Sequence, residues 1–384
     1  MELGTASATR GELSRGHLTV TELPTGTEER LPVCIAQGEE AGPTLWVTAS
    51  VHGDEITGMA VAQDLLTDSL PEELSGTLVV MPNLNPAGLR RNARTSYYGD
   101  DDPNRYFPDG EHKPEERARP PEIQERINRR LYDEIVETAD AAVNLHTAGI
   151  GSRPFLIRGR VPYGDRRDEE AAQGVADELE DMVQAFGVPV VNQYAQEEYE
   201  ELGLNRALSP ALRDLEGIPA FTPELGSHSV VDELNRRAGV TGVRNVMRSL
   251  GMLSGEPEPN EAAPEEPVQF PVRRHRGPRT ETPGIVRHLV DAGDVVEPGT
   301  PVAEIVTPLG AVKTTVKAEH DGYVVGRMEG GVAYEGDPLL SLAVRDESEL
   351  VVPADGENGD AESGDDESGD GEGDGENSDG ETGG

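Results

Sequence analysis

The chain has 384 residues and a formal net charge of −41, from 74 Asp and Glu against 33 Lys and Arg. Nucleic acid and anionic membrane surfaces would repel so acidic a protein, so neither is expected as a partner. The length accommodates a large core plus a smaller second unit, because domains commonly hold about 100 to 200 residues.

Residues 353–384 carry thirteen acids and no base, which leaves −28 on residues 1–352. Lys113, Lys313 and Lys317 are the only lysines. Concentrated salt would screen the self-repulsion of such a surface, so the composition suits a halophilic protein of a salt-loaded cytoplasm. An ordinary acidic enzyme with a disordered tail is the alternative. Cys34 is the lone cysteine, which excludes an intrachain disulfide and a thiolate zinc cluster; set in LPVCIA, it reads as a buried strand residue. No apolar run approaches a membrane span, and MELGTASATRGELSRG lacks the apolar centre of a signal peptide, so a cytoplasmic location is expected.

Short apolar or β-branched runs alternate with helical patterns through the first two thirds. HLTVTEL (17–23), LPVCIA (31–36) and TLWVTASV (44–51) read as strands, and EITGMAVAQDLLTDSL (55–70) as an amphipathic helix ended by Pro71. GTLVVMPNLNP (76–86) is a strand closed by a proline-containing turn. Residues 87–119 show little periodicity, and a connection this long carries function or is disordered. A helix over 120–139, entered through two prolines, leads to the strand DAAVNLHT (140–147). There follow a helix at 168–187, a strand VPVVNQ (188–193), a helix near 205–216, a strand IPAFTPEL (218–225) and a helix from about 229 to 252.

This alternation predicts an α/β sheet with helices on both faces over residues 1–253. Residues 254–269, SGEPEPNEAAPEEPVQ, form an acidic proline-rich linker. Short strands punctuated by Gly, Pro and Asp make residues 270–346 a small all-β domain, and residues 353–384 a disordered acidic tail.

In open α/β sheets, ligands gather beyond the carboxyl ends of the strands. WVTASVHGDE places His52 and Glu55 there, and NLHTA places His146 there. Two imidazoles and one carboxylate match the ligand set of hydrolytic zinc sites. Asp54 and Glu55 also suit a helix's first turn, with His52 a turn residue. Glu224, in IPAFTPELG, is a third strand-end group; a carboxylate beside an activated water can accept its proton, although an acid before a turn needs no such role. In the irregular stretch, Arg94 and Arg105 offer planar forks of donors for a carboxylate or an oxyanion, and Asn104 adds amide donors.

Together HGDE, NLNPAG, DPNRYFPDG, NLHTA and TPELG resemble, in order and rough spacing, the succinylglutamate desuccinylase/aspartoacylase family, a branch of the zinc metallocarboxypeptidase-like fold. The resemblance spans residues 44 to about 345. It implies a mixed sheet with helices on both faces, one zinc ion per subunit held by His52, Glu55 and His146, and Glu224 as general acid and base. It further implies that Arg94 polarises the scissile carbonyl, that Asn104, Arg105 and Arg213 bind substrate, and that Tyr334 of the β domain reaches the pocket. The expected reaction is removal of an acyl group from an N-acyl amino acid. Where the family commonly has Asp two residues before the second ligand histidine, this chain has Asn144.

Other readings stand beside this one. A metallocarboxypeptidase would use the same metal set on a peptide C-terminus, and a non-catalytic interaction protein could keep the fold. The β domain also resembles biotinyl and lipoyl carrier hairpins around Lys313, but Val312 and Thr314 flank that lysine in place of the carriers' usual neighbours. A lid or a homo-oligomer surface is the expected role of that domain.

Overall fold

The computed structural model describes residues 1–110 and 120–354. The acidic tail from residue 355 onward, and residues 111–119 of the irregular stretch, lie outside the described residues.

In chain order, strands β1 (Glu12–Glu22), β2 (Glu28–Gln37) and β3 (Glu40–Ala49) precede helix α1 (Ile56–Asp64). Strand β4 (Ser75–Met81) leads to α2 (Pro86–Arg91), and α3 (Ile123–Thr138) leads to β5 (Ala141–Ala148) and β6 (Phe155–Arg158). Helix α4 (Glu169–Phe186), β7 (Val190–Asn192), β8 (Ala220–Ser227) and α5 (Glu233–Ser249) follow. The long helices begin where the sequence supplies caps: Asp168 accepts from the Ala171 N–H at 2.9 Å, and Asp232 from those of Leu234 and Asn235 at 3.1 and 3.0 Å. Beyond the linker come β9 (Val272–Arg276), β10 (Gly284–His288), β11 (Val295–Val296), β12 (Pro301–Val306), β13 (Val312–Lys317), β14 (Gly322–Arg327), β15 (Val332–Ala333) and β16 (Leu340–Arg345).

Twelve strands form one mixed sheet in the order β11-β14-β16-β9-β7-β6-β8-β5-β3-β4-β2-β1. At its centre β3, β5 and β8 run parallel, so their carboxyl ends share one edge. Both faces are covered, which the alternation of side chains explains. Leu45, Val47, Val143, Leu145, Phe221 and Leu225 pack under α1, α4 and α5. Trp46, Ala142 and Ala220 point the other way, against Ile127, Leu131 and Ile135 of α3. Trp46 is fully buried and donates its indole N–H to Thr138 at 3.0 Å. His146 and Glu224 lie at even spacing from Ala142 and Ala220, so both face this second side.

The sheet also crosses the linker. Strand β9 continues it beyond β7, parallel at Asn192 and Arg273, and β16 and β14 extend it antiparallel. A four-stranded sheet, β13-β12-β10-β15, completes the C-terminal region around its own cluster of Val302, Ile305, Val324 and Leu342. Phe155, Val191, Val272 and Val325 form a further cluster that binds the two regions together. Lys313 lies one residue inside β13, with its ammonium donating to the Pro283 carbonyl, while the exposed apex of that hairpin is Leu309.

Three elements depart from the sequence reading. Helix α1 stops at Asp64, and Pro71 opens a separate short helix, Leu70–Glu73, where its missing N–H costs nothing. The irregular stretch starts with α2, because Pro86 occupies the first turn and Asn85 caps it by accepting from the Gly88 N–H at 2.8 Å. The helix near 205–216 resolves into a short α turn, Leu208–Pro210, and a π-helical segment, Ala211–Glu216.

Candidate active site

Beyond β3 the chain reverses through Ser50, whose φ of 52° is left-handed, and His52 is turned back over the sheet edge. Gly53 passes so close to the Gly88 backbone that any side chain there would collide with it. Glu55 stands just before α1 but does not cap it: its carboxylate points inward. One oxygen lies 2.6 Å from His52 Nδ1 and the other 2.8 Å from His146 Nδ1. All three residues are buried, and their ligand atoms lie within 4.8 Å of one another. Residues 94 apart in sequence thus meet because β3 and β5 are parallel neighbours.

Each imidazole is held from behind through Nε2. His52 Nε2 lies 3.0 Å from Asp102 Oδ1, and His146 Nε2 lies 2.9 Å from the Asn144 amide, which Thr48 holds at 2.9 Å. Such outer partners fix ring orientation: Asp102 accepts the Nε2–H of His52, and Asn144 does the same for His146 when its amide presents oxygen to Nε2 and nitrogen to Thr48, which leaves both Nδ1 atoms for a metal. Burial pushes the Glu55 carboxyl up, but the two imidazoles outweigh it and leave it well below the usual carboxylate range. Burial is likewise outweighed at Asp102, where His52, Arg94 and Arg105 depress the carboxyl. Two nitrogen donors and an ionised carboxylate converging on one point fit a zinc ion, and the donor chemistry is that of catalytic rather than structural sites.

Glu224 sits opposite His146 in the register of β8 and β5. Its Oε2 is shielded from solvent and has no hydrogen-bond partner among the described residues. Burial raises its pKa and Glu55 adds to the rise, against the opposing charges of His146, Arg274 and His52. A carboxyl that holds its proton more readily than usual, with a free oxygen beside the ligand cluster, can take up and return a proton.

A cavity of about 550 Å³ opens over this edge. Arg94 reaches it from the stretch after α2, bonded to Asp102 at 2.8 Å and Glu55 at 3.4 Å. The Arg94 carbonyl accepts from Gly53 N–H and from the Asn85 amide, both at 3.2 Å. Asn104 accepts from the Leu208 N–H at 3.1 Å, and Arg105 donates to the carbonyls of Leu202 and Asn104 at 3.0 and 2.8 Å. Arg213 also lines the cavity, buried and paired with Asp214 at 2.8 Å. Tyr334 does not line it. Ala333, the last residue of β15, is buried in the C-terminal core, and Tyr334 follows it, 72% exposed, in a turn closed by Asp337.

Several contributors escaped the sequence reading. Asp102 precedes the recognised Asn104-Arg105 pair and orders both His52 and Arg94. Asn85 also donates to the Val51 carbonyl at 3.1 Å, joining the His52 turn to the Arg94 segment; its place before Pro86 was the available signal. Glu29 of β2, completely buried, accepts two 3.2 Å bonds from Arg90 and one from the Tyr98 hydroxyl, bracketing Arg94. No local pattern marks that pairing. Arg274 and Arg276 of β9, and Glu329 after β14, line the cavity from beyond the linker. Glu329 lies 2.6 Å from His228 Nε2 and accepts from the Ile150 N–H at 2.7 Å.

Comparison with known proteins gives a consistent result. Residues 41–250 match the family model described as the succinylglutamate desuccinylase/aspartoacylase catalytic domain. The chain is 24% identical over 326 residues to the N-alpha-acetyl-L-2,4-diaminobutyric acid deacetylase of Halomonas elongata, covering 82% of this chain and 85% of the relative. Its fold is shared with a succinylglutamate desuccinylase from a Silicibacter species, at a TM-score of 0.69 and 22% identity over 90% of this chain and all of the other (100%). A product-bound structure of the ectoine utilization protein EutE from Ruegeria pomeroyi gives a TM-score of 0.64 at 22% identity, covering 87% of this chain and 95% of that one.

Proposed function

The chain belongs to the succinylglutamate desuccinylase/aspartoacylase family, and from that premise we propose that it is a zinc-dependent deacylase that hydrolyses the amide of an N-acyl amino acid. The observation that carries the proposal is the convergence of His52, Glu55 and His146 on one point beside Glu224, whose Oε2 has no hydrogen-bond partner among the described residues. His52 and His146 through Nδ1, with the Glu55 carboxylate, would hold the ion. A bound zinc ion supplies Lewis acidity, lowering the pKa of water and polarising a carbonyl.

The remaining work falls to the chain's own groups. Glu224 accepts the proton of the attacking water at its free oxygen and returns it to the departing amine, so that the carboxylate is regenerated in each cycle. Arg94 aims its guanidinium at the oxyanion that forms on the scissile carbonyl. Asn104 and Arg105, fixed by main-chain contacts, orient the substrate through its carboxylate. The strands beyond the linker contribute Arg274, Arg276 and Glu329 to the cavity wall, which favours a small acyl amino acid over a long peptide.

The test is metal content together with a substrate panel. Purified protein is expected to hold one zinc ion per chain and to hydrolyse at least one of N-acetylaspartate, N-succinylglutamate and Nα-acetyl-2,4-diaminobutyrate faster than a short peptide. Faster peptide cleavage would favour a carboxypeptidase, and protein that can neither retain nor regain zinc would overturn the hydrolase reading.

A further inference from the structure

A guanidinium taken out of water without a carboxylate partner is costly, and a chain with 74 acidic side chains has partners to spare. Among the cavity arginines, Arg94 is paired with Asp102 and Glu55, Arg213 with Asp214, and Arg327 with Asp291. Arg105 is engaged by two main-chain carbonyls and approaches Asp102 at 4.0 Å. Arg274 and Arg276 differ: neither forms an ion pair among the described residues. They stand two apart on β9, so the pleat turns both to the cavity.

Arg274 is nonetheless held in place. Its Nη1 donates to Gln193 Oε1 at 3.2 Å, and its guanidinium carbon lies 4.3 Å from the ring centroid of Tyr194. Its Nε is shielded from solvent and has no hydrogen-bond partner among the described residues. The charges of Glu224 and Glu198 act on it only from beyond ion-pair distance. A guanidinium that is oriented, stacked and in direct contact with no carboxylate among the described residues presents a rigid fork of donors suited to one.

We propose that Arg274 binds a second negative group of the substrate and so directs the enzyme to N-acyl amino acids that carry a further carboxylate, on the acyl chain or on the side chain. The inference rests on the deacylase reading and adds to it a residue from beyond the linker. A substrate with a cationic side chain would set like charge against the guanidinium, so Nα-acetyl-2,4-diaminobutyrate is disfavoured.

The experiment compares zinc-loaded wild type, Arg274→Gln and Arg274→Lys on N-succinylalanine, N-acetylglutamate, N-acetylalanine and Nα-acetyl-2,4-diaminobutyrate. Wild type is expected to favour one of the first two over N-acetylalanine by about 100-fold or more in kcat/KM, within the ceiling of about 10⁴ to 10⁵ at which a hydrogen-bonding site rejects an analogue that lacks its partner. The favoured member identifies where the second carboxylate lies. Arg274→Gln should collapse that ratio by about tenfold or more, chiefly through KM, and Arg274→Lys, which keeps the charge, should recover part of it. An equal loss on all substrates, or a wild-type preference for the monoanionic or cationic substrate, overturns the proposal.

Should wild type hydrolyse none of the four, the deacylase reading fails, and calorimetric titration of unhydrolysed N-succinylalanine and N-acetylglutamate decides the role of Arg274. Weaker binding of either by Arg274→Gln supports the anion site, and equal binding by variant and wild type overturns it.

Discussion

Replacing Glu224 with Gln separates proton transfer from metal binding. The substitution keeps the side-chain shape, and the oxygen it alters has no hydrogen bond to lose among the described residues. The ligand set of His52, Glu55 and His146 is untouched, so zinc content should stay at the wild-type value. General acid and base catalysis contributes about 10² to 10⁴ in rate, so kcat should fall by that factor, or about 3–5 kcal/mol in barrier. The assay is amine release under saturating substrate, alongside metal analysis of the same preparation. Stability supplies an independent check, because the native pKa of Glu224 is raised above its ordinary value of 4.5, chiefly by burial. A raised carboxyl stabilises the fold fully below its unfolded pKa and loses that contribution as pH climbs through the native one. In metal-free protein, the unfolding temperature of Glu224→Gln relative to wild type should therefore rise as pH increases from about 4.5 toward neutrality. A variant that turns over at the wild-type rate would refute the assignment of the proton carrier, and one that loses zinc would show that Glu224 belongs to the metal site.

Other expectations follow from neighbouring contacts. Arg105→Lys loses the planar fork that two carbonyls hold in place, so KM should rise several-fold or more while zinc content is unchanged; a fall in kcat alone would contradict the anchoring role. Asn144→Asp puts a carboxylate behind His146, and zinc affinity, measured by chelator competition, should tighten by about 10- to 100-fold, the size of outer-partner effects. Glu29→Gln removes the shared acceptor of Arg90 and Tyr98 and should cost about 1–3 kcal/mol in denaturant unfolding while lowering kcat through Arg94; unchanged kinetics would separate that cluster from the site. Raising KCl from millimolar to molar should raise the unfolding midpoint of a chain carrying −41, and a flat response would reject the halophilic reading.

Strand-end chemistry was legible in one dimension. The alternation of apolar runs and helical patterns predicts an α/β sheet, and HGDE, NLHTA and TPELG each end a strand, so the placement of His52, Glu55, His146 and Glu224 at one rim followed from local pattern and resemblance. The caps Asp168 and Asp232 are local in the same sense, because they act within a few residues of themselves. Contacts that depend on sheet order left no such trace. Glu29 meets Arg90 and Tyr98 only because β2 runs beside β4, and Arg274 reaches the cavity only because β9 continues the sheet past β7. Tyr334 shows the converse: motif resemblance placed it in the pocket, but it stands in the turn that follows a two-residue strand and faces solvent. Periodicity reports which face of its own element a side chain occupies; the neighbour that face meets is set by strand order and register, and these are properties of the folded chain as a whole.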